Sequence, residues 1–279
     1  MARAKPPRRY WQEMTSAEIA RLDKARVIAV LPVAAIEQHG PHLPLMVDAA
    51  INEGVLARAL ALLPAALPVS VLPALAVGRS DEHEDFPGTL SLSPETAIRL
   101  WEEVAEGVAR AGVRKLVLCN SHGGQSQLLD IVGRRLRRKH GMLVVQVNLY
   151  RLWDARRLFG EAEVAHGIHG GAVETSIMLH LHPDLVRRAR LADFAPRSRA
   201  EARHFREIGA HGRVPYSWLA QDLHPSGAAG DATKARAAAG KLLVEEAARR
   251  LAAILEETGR LSLDARKKRI RAPTAAGDA

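Results

Sequence analysis

Lys115-Leu116-Val117-Leu118-Cys119-Asn120-Ser121-His122-Gly123-Gly124 is the stretch on which the fold turns. Its first six residues, KLVLCN, are short, apolar and bounded by Gly112 and Gly123, the pattern of a buried strand. A helical pattern follows from Gln125 to His140, and Met142 to Tyr150 (MLVVQVNLY) is the next strand. Toward the N-terminus the alternation repeats. Val27 to Ala34 (VIAVLPVA) reads as a strand, Ala49 to Leu63 as a helix, Val69 to Val77 as a strand interrupted by Pro73, and Pro94 to Ala111 as a helix. Near-continuous apolar strands separated by helices pair in parallel through right-handed crossovers, with helices covering both faces. The expected fold is therefore α/β, a three-layer α/β/α arrangement around a mostly parallel central sheet.

The second half predicts a helix at Gly171 to Leu181, an irregular His- and Arg-rich stretch from Arg187 to Gly230, and a long amphipathic helix at Ala232 to Leu255. No Ser/Gly linker and no internal repeat divides the chain, so one domain is expected over 1–260, followed by a basic, flexible tail at 261–279. The composition of the 279 residues, 47% hydrophobic and 25% charged, excludes a disordered, collagen-like or disulfide-scaffold protein. The single cysteine, Cys119, forms no intrachain disulfide, which suits a reducing, cytoplasmic setting. No apolar run reaches the roughly 18 to 20 residues of a membrane helix. Tyr10, Trp11, Gln12 and Glu13 follow the first basic residues where a signal peptide would have its apolar core.

The formal charge of +9 and the pI near 10.2 suggest a polyanionic partner at first sight. The excess is local. Arg3, Lys5, Arg8 and Arg9 at one end, and Arg266, Lys267, Lys268, Arg269 and Arg271 at the other, account for all of it, leaving equal numbers of bases and acids between them. The run Arg134-Arg135-Leu136-Arg137-Arg138-Lys139 is the remaining nucleic-acid candidate. Leu128, Leu129, Val132 and Leu136 form an apolar stripe on the same helix, so its charges belong on the opposite, solvated face. A basic nucleic-acid-binding protein is the competing class, and it predicts salt-dependent binding.

Open parallel sheets bind ligands at the carboxyl ends of their strands, and the chemically loaded segments fall there. After the first strand comes Glu37-Gln38-His39-Gly40-Pro41-His42-Leu43-Pro44, followed by Asp48. A carboxylate, an imidazole two residues on and a second carboxylate are three ligands suited to a divalent metal. In an extended segment Glu37 and His39 point the same way, while Gly40, Pro41 and Pro44 let the chain fold back to deliver Asp48. A solvated loop carrying these groups by chance is the alternative. His122 ends the third strand before two glycines that permit close backbone approach, with a buried structural histidine as its alternative. His166-Gly167-Ile168-His169-Gly170-Gly171-Ala172-Val173-Glu174 enters a helix, where Glu174 alone would be a favourable N-terminal charge. Together the three segments supply a carboxylate- and His-rich set with no Cys. Such sets suit a hydrolytic pair of divalent ions sharing an activated water.

These segments resemble the creatininase family of metal-dependent amidohydrolases. The resemblance spans roughly residues 28–240. It rests on the Glu37 to Asp48 segment, Phe86-Pro87-Gly88-Thr89 with Leu92-Ser93-Pro94-Glu95-Thr96, Asn120 to Gly124, His169 with Glu174-Thr175-Ser176, and Pro225-Ser226-Gly227 with Gly230-Asp231. It implies a creatininase-like α/β fold and a homo-oligomer, often a hexamer. It also implies two Zn, Mn or Fe ions per subunit, with hydrolysis of a cyclic or linear amide C–N bond by a metal-bridging hydroxide. Glu37, His39, Asp48 and His122 match the family's metal ligands, Asp48 being the shared one, and His169 matches the general acid/base that protonates the leaving nitrogen. Creatininase proper has an acidic residue two positions after the strand-end His; here that position is Gly124, and Glu174, expected with His169 to be catalytic, is also expected to replace it as a ligand, the alternative being a weak second site and one tightly held ion. Ser80, His83 and Gly123 are expected to contact the small-molecule amide substrate, with a surface loop as the alternative for the first two. Creatininase proper also has a Trp four residues before its catalytic His. Here Ala165 stands there, which favours an amide other than creatinine; Trp218 stands out among the tryptophans because it precedes the Pro225-Ser226-Gly227 loop, which is expected to be able to close over the site. Deformylase, peptidase-like and oxidised-inositol hydrolase activities occur among similar proteins and stay open.

Overall fold

The computed structural model describes residues 8–211 and 213–263. Most of the basic tail expected at 261–279 lies outside the described residues. In chain order the larger elements are α1 (Ser16–Arg21), β1 (Ile28–Val33), α2 (Val47–Leu62), β2 (Val69–Val71), α3 (Pro94–Arg110), β3 (Lys115–Asn120), α4 (Ser126–His140) and β4 (Leu143–Asn148). Then follow α5 (Arg156–Phe159), α6 (Glu161–His166), α7 (Ala172–Leu181), β5 (Asp193–Phe194), α8 (Arg197–Glu201), β6 (Ile208–Gly209), β7 (Val214–Pro215), α9 (Ala220–Leu223), β8 (Gly230–Asp231) and α10 (Ala237–Arg260). The first four strands form a parallel sheet in the order β2-β1-β3-β4, as the apolar runs predict.

Side chains alternate across a strand, and β1 divides its apolar residues between two layers accordingly. Ile28 and Val30 pack with Val55 of α2, Ile177 of α7 and Leu251 of α10. Ala29, Leu31 and Val33 pack with Trp101 of α3 and Leu129 of α4. The chain leaves β1 toward α2 on one face and leaves the adjacent β3 toward α4 on the other. Loops that diverge to opposite faces from neighbouring strands open a crevice at the carboxyl edge, and that crevice holds the site.

Local chemistry sets the element ends. Thr15 and Glu18 form a reciprocal capping box on α1, and Ser93 caps α3 with Pro94 in its first turn. Gly141, at φ 65°, closes α4 in the left-handed conformation that glycine adopts without strain. The strand expected over 69–77 is cut to Val69–Val71, with a single further bridge between Val33 and Leu75, because Pro73 has no N–H to give to a ladder. The last helix begins at Ala237 and not at 232, since Asp231 turns the chain there by accepting from the Thr233 N–H.

On α4 the stripe Leu128, Leu129, Val132 and Leu136 is buried. Its basic face is partly neutralised, Arg134 by Asp130 (2.7 Å), Arg135 by Glu102 (3.4 Å) and Lys139 by Glu106 (2.7 Å). Among the described residues no helix is long and apolar enough to cross a membrane.

Candidate metal centre

Three strand-end segments and one helix start converge at the crevice. Beyond β1, the Glu37 N–H donates to Leu45 O (3.0 Å) and the Leu90 N–H to Ile36 O (2.9 Å), which holds the segment open between two loops. Gly40, at φ +75°, then turns the chain so closely against Ala228 that an added Cβ would lie 2.7 Å from the alanine methyl. Asp48 sits in the first turn of α2, where the helix dipole favours a carboxylate, and not on the loop before it. Beyond β3, Asn120 folds the next turn: its side-chain amide donates to His122 O (2.5 Å) while its carbonyl accepts the His122 N–H (3.1 Å). Asn52 of α2 ties the two loops together by donating to Val33 O (3.1 Å) and Cys119 O (2.9 Å).

The predicted donors meet. Glu37, Asp48 and His122 bring one donor atom each within 4.8 Å of one another; so do His39, Asp48 and Glu174, and so do Glu37, His39 and His169. His122 Nδ1 lies 3.3 Å from Glu37 Oε2 and 3.6 Å from Asp48 Oδ2. His39 Nε2 lies 4.0 Å from Asp48 Oδ2 and 3.9 Å from Glu174 Oε2. Among the described residues, His39 Nε2 and Asp48 Oδ2 are buried without a hydrogen-bond partner. Buried polar atoms left unpaired cost free energy, and a divalent cation between these donors removes that cost. The backbone fixes the ring tautomers to match. His39 Nδ1–H donates to Glu37 O (3.1 Å), freeing Nε2, and His169 Nε2–H donates to Gln38 O (2.6 Å), leaving Nδ1 open 3.7 Å from Glu37 Oε1.

Burial dominates the electrostatics. It raises Asp48, with Glu37 adding like-charge repulsion, and it raises Glu174. Burial lowers His39, helped by His169, and the same two causes bring His83 down to about 3. Two groups go the other way. Burial opposes charge on His122, but Glu37 and Asp48 outweigh it and push the ring up to about 10. Burial likewise opposes charge on Glu37, yet His122 and His83 hold its carboxyl well below the usual range. A bound cation would replace the His122 proton as the counter-charge to these carboxylates.

Of the residues expected to touch substrate, His83 and Gly123 line the cavity above the donors. Ser80 is enclosed beneath them, its hydroxyl donating to Glu37 Oε2 at 2.5 Å. A Cβ at Gly123 would meet open space, so crowding does not require glycine there, whereas Gly124 is tightly packed. The cavity measures about 780 Å³, and besides Trp218 it is walled by Tyr150, Trp153 and Tyr216. These aromatics come from the segment after β4 and the stretch before α9, not from α6, which carries Ala165, the position at which a ring is missing.

Glu163, which sequence reasoning passed over, anchors the segment bearing His169 and Glu174. Its buried carboxylate accepts the N–H groups of Ala172 (2.9 Å) and Asp231 (3.1 Å), and a Cβ at Gly167, Gly171 or Gly230 would strike it. Replacing Glu163 with Ala strands both donors. We expect a cost of about 3 kcal/mol and a melting temperature roughly 6–12 °C lower, read by calorimetry; an unchanged transition would show the carboxylate to be dispensable.

Comparison with known proteins agrees with this geometry. The sequence profile described as "Creatininase: Creatinine amidohydrolase" matches residues 12–255. The chain is 32% identical to creatinine amidohydrolase of Pseudomonas putida over 194 residues, covering 63% of this chain and 73% of that protein. It is 34% identical to mycofactocin precursor peptide peptidase of Mycobacterium tuberculosis over 185 residues, covering 64% and 68%. Among solved structures, creatininase superposes in a Zn–Zn form of a Glu-to-Gln variant with TM-score 0.72 (27% identity, 90% of this chain, 98% of that one). Its Mn form superposes with TM-score 0.69 (27% identity, 90% and 99%).

Proposed function

This chain belongs to the creatininase family, and from that premise we propose the substrate class and the role of each residue. The protein is a metal-dependent amidohydrolase acting on C–N bonds, with a dinuclear divalent-metal centre of the Zn/Mn kind. The observation that carries the finer reading is the set of unpartnered buried donors, His39 Nε2 and Asp48 Oδ2, facing one another among carboxylates at the cavity floor. Glu37, Asp48 and His122 would hold one ion and His39, Asp48 and Glu174 the other, Asp48 belonging to both donor sets. When bound, the pair polarises the amide carbonyl and supplies a water acidified enough to attack near neutral pH.

The chain itself handles the proton. His169 is fixed at Nε2 by Gln38 O, so only Nδ1 can take up and release a proton, and it faces the donors. It delivers that proton to the departing nitrogen as the C–N bond breaks. Glu174 accepts the Gly170 N–H (2.6 Å), which locks the loop carrying His169 to the second ligand set. His83 and the Gly123 backbone border the space where the acyl part lies.

The substrate is larger than creatinine. A single small ring leaves most of a cavity of about 780 Å³ unfilled, whereas ligand sites bury most of their ligand. Arg151 stands on the cavity wall over the Tyr150 ring (5.8 Å) and makes no ion pair among the described residues, so it suits an acidic group on the substrate. A screen of lactams, formamides and short peptides with the Mn- and Zn-loaded enzyme tests the reading. Acidic amides are expected to be turned over with kcat/KM at least about tenfold above their neutral analogues, the effect of one charged contact. Creatinine emerging as the best substrate would overturn it.

A further inference from the structure

Position 124 raises a question that the ligand sets above leave open. An ideal Cβ built on Gly124 would lie 1.7 Å from Glu82 Oε1 and 2.6 Å from His122 Nε2. The space of a side chain at 124 is thus already filled, by a carboxylate arriving from the loop after β2. Glu82 sits in a single 3-10 turn, Asp81–His83. Arg79 fastens that loop across to the β3 loop, its N–H donating to Gln125 Oε1 (3.1 Å) and its guanidinium to Gly124 O.

The Glu82 side chain is only 12% exposed, and Oε1 lies 3.5 Å from His122 Nε2, on the ring edge away from the cavity donors. Among the described residues, Glu82 Oε2 and His122 Nε2 are buried and have no hydrogen-bond partner. His122 turns its other nitrogen, Nδ1, to Glu37 and Asp48. A histidine that binds a cation through one nitrogen needs its second N–H held, because that contact fixes the tautomer, aims the ring and strengthens the ligand.

We propose that Glu82 is the positioning carboxylate of the metal centre, standing 3.5 Å from His122 Nε2, in the place a side chain at position 124 would occupy, to hold that N–H when His122 binds a cation through Nδ1. Gly124 is the complement of Glu82: the glycine makes the room and the glutamate supplies the charge. Glu82 lines the cavity but is no member of the close donor sets, so toward the metal it acts through His122.

The inference rests on the metal-centre reading, and its test reads metal affinity, not turnover. Zn²⁺ binding is measured by competition with a chromophoric chelator on the full chain, with folding checked by thermal melting. Wild-type protein that binds no Zn²⁺ would remove the metal-centre reading itself. With wild-type binding in place, Glu82→Ala is expected to weaken the affinity about 10- to 100-fold, and Glu82→Gln, which keeps an oxygen acceptor of the same length, to weaken it less. Gly124→Ala displaces Glu82 and is expected to cause a loss at least as large, of which only the part exerted directly on His122 remains when Glu82 is already alanine, so that the two effects add to less than their sum. Wild-type affinity in Glu82→Ala, or effects of the two substitutions that add in full, would overturn the proposal. Should Glu82→Ala fail to fold, the same comparison is made with Glu82→Gln alone and combined with Gly124→Ala.

Discussion

Replacing Asp48 with alanine is expected to strip the protein of most of its metal and to lower amide hydrolysis by about 10³-fold or more, a loss of several kcal/mol of transition-state stabilisation. Asp48 is the carboxylate common to the set with Glu37 and His122 and the set with His39 and Glu174. No other described side chain takes part in both, so neither set survives its removal intact. The variant should nonetheless fold. In the metal-free protein Asp48 is a buried carboxyl raised by burial and by repulsion from Glu37, and Glu37, 3.3 Å from His122 Nδ1, remains as that ring's counter-charge when Asp48 is removed. Elemental analysis of chelator-free preparations together with a melting curve separates loss of metal from loss of fold. A folded Asp48→Ala protein with its full metal content would contradict the assignment.

His169→Gln is expected to lower kcat by about 10² to 10⁴-fold, the range of a general acid/base contribution, while metal content stays at the wild-type level. The two halves of that expectation decide between roles, because His169 also stands within donor distance of Glu37 and His39. If the ring were a ligand, metal would leave with it. Its Nε2 is committed to Gln38 O and its ring packs between His39 and His83, with centroids 4.0 and 4.2 Å away. A proton donor held this rigidly matters most for a poor leaving group. Activated amides, whose nitrogen departs without help, should therefore lose much less rate than ordinary ones, and an equal loss for both would remove His169 from the proton transfer.

The contrast between the donors and their supports shows which part of the site a sequence can reveal. Glu37, His39, Asp48, His122 and His169, which the structure brings together, stand out in the sequence because they lie beyond apolar strands or near a helix start, where the chain has to turn and a cluster of ligating residues is hard to explain as core. Glu82 and Glu163 carry the same functional group, but Glu82 stands in the polar run 79–83 and Glu163 within the short helix α6, and neither follows an apolar strand directly. Their enclosure comes from segments distant in the chain, Gly124 over Glu82 and Gly171 with Gly230 over Glu163. The adjacent Gly123 and Gly124 look equivalent in sequence; only the packing around them makes one a spacer and the other a requirement.

The strands follow the same logic. β3 is the apolar run residue for residue, and β1 differs from its run by one residue at each end, because buried parallel strands are written as continuous apolar segments. β2 is shorter than its apolar run because the apolar character continues past Pro73, where the ladder is interrupted. The cavity wall was least legible. Tyr150, Trp153 and Tyr216 reach it from the end of β4 and from the irregular stretch before α9, and no local pattern links them to Ala165.

The most direct measurement is anomalous diffraction from crystals of protein purified without chelators, with data on both sides of the zinc and manganese absorption edges. The centre described above predicts two peaks per chain roughly 3.5 to 4 Å apart, with the Asp48 carboxylate between them, His122 on one and His39 on the other. No peak at these residues, or a single ion that leaves Asp48 uncoordinated, would contradict it.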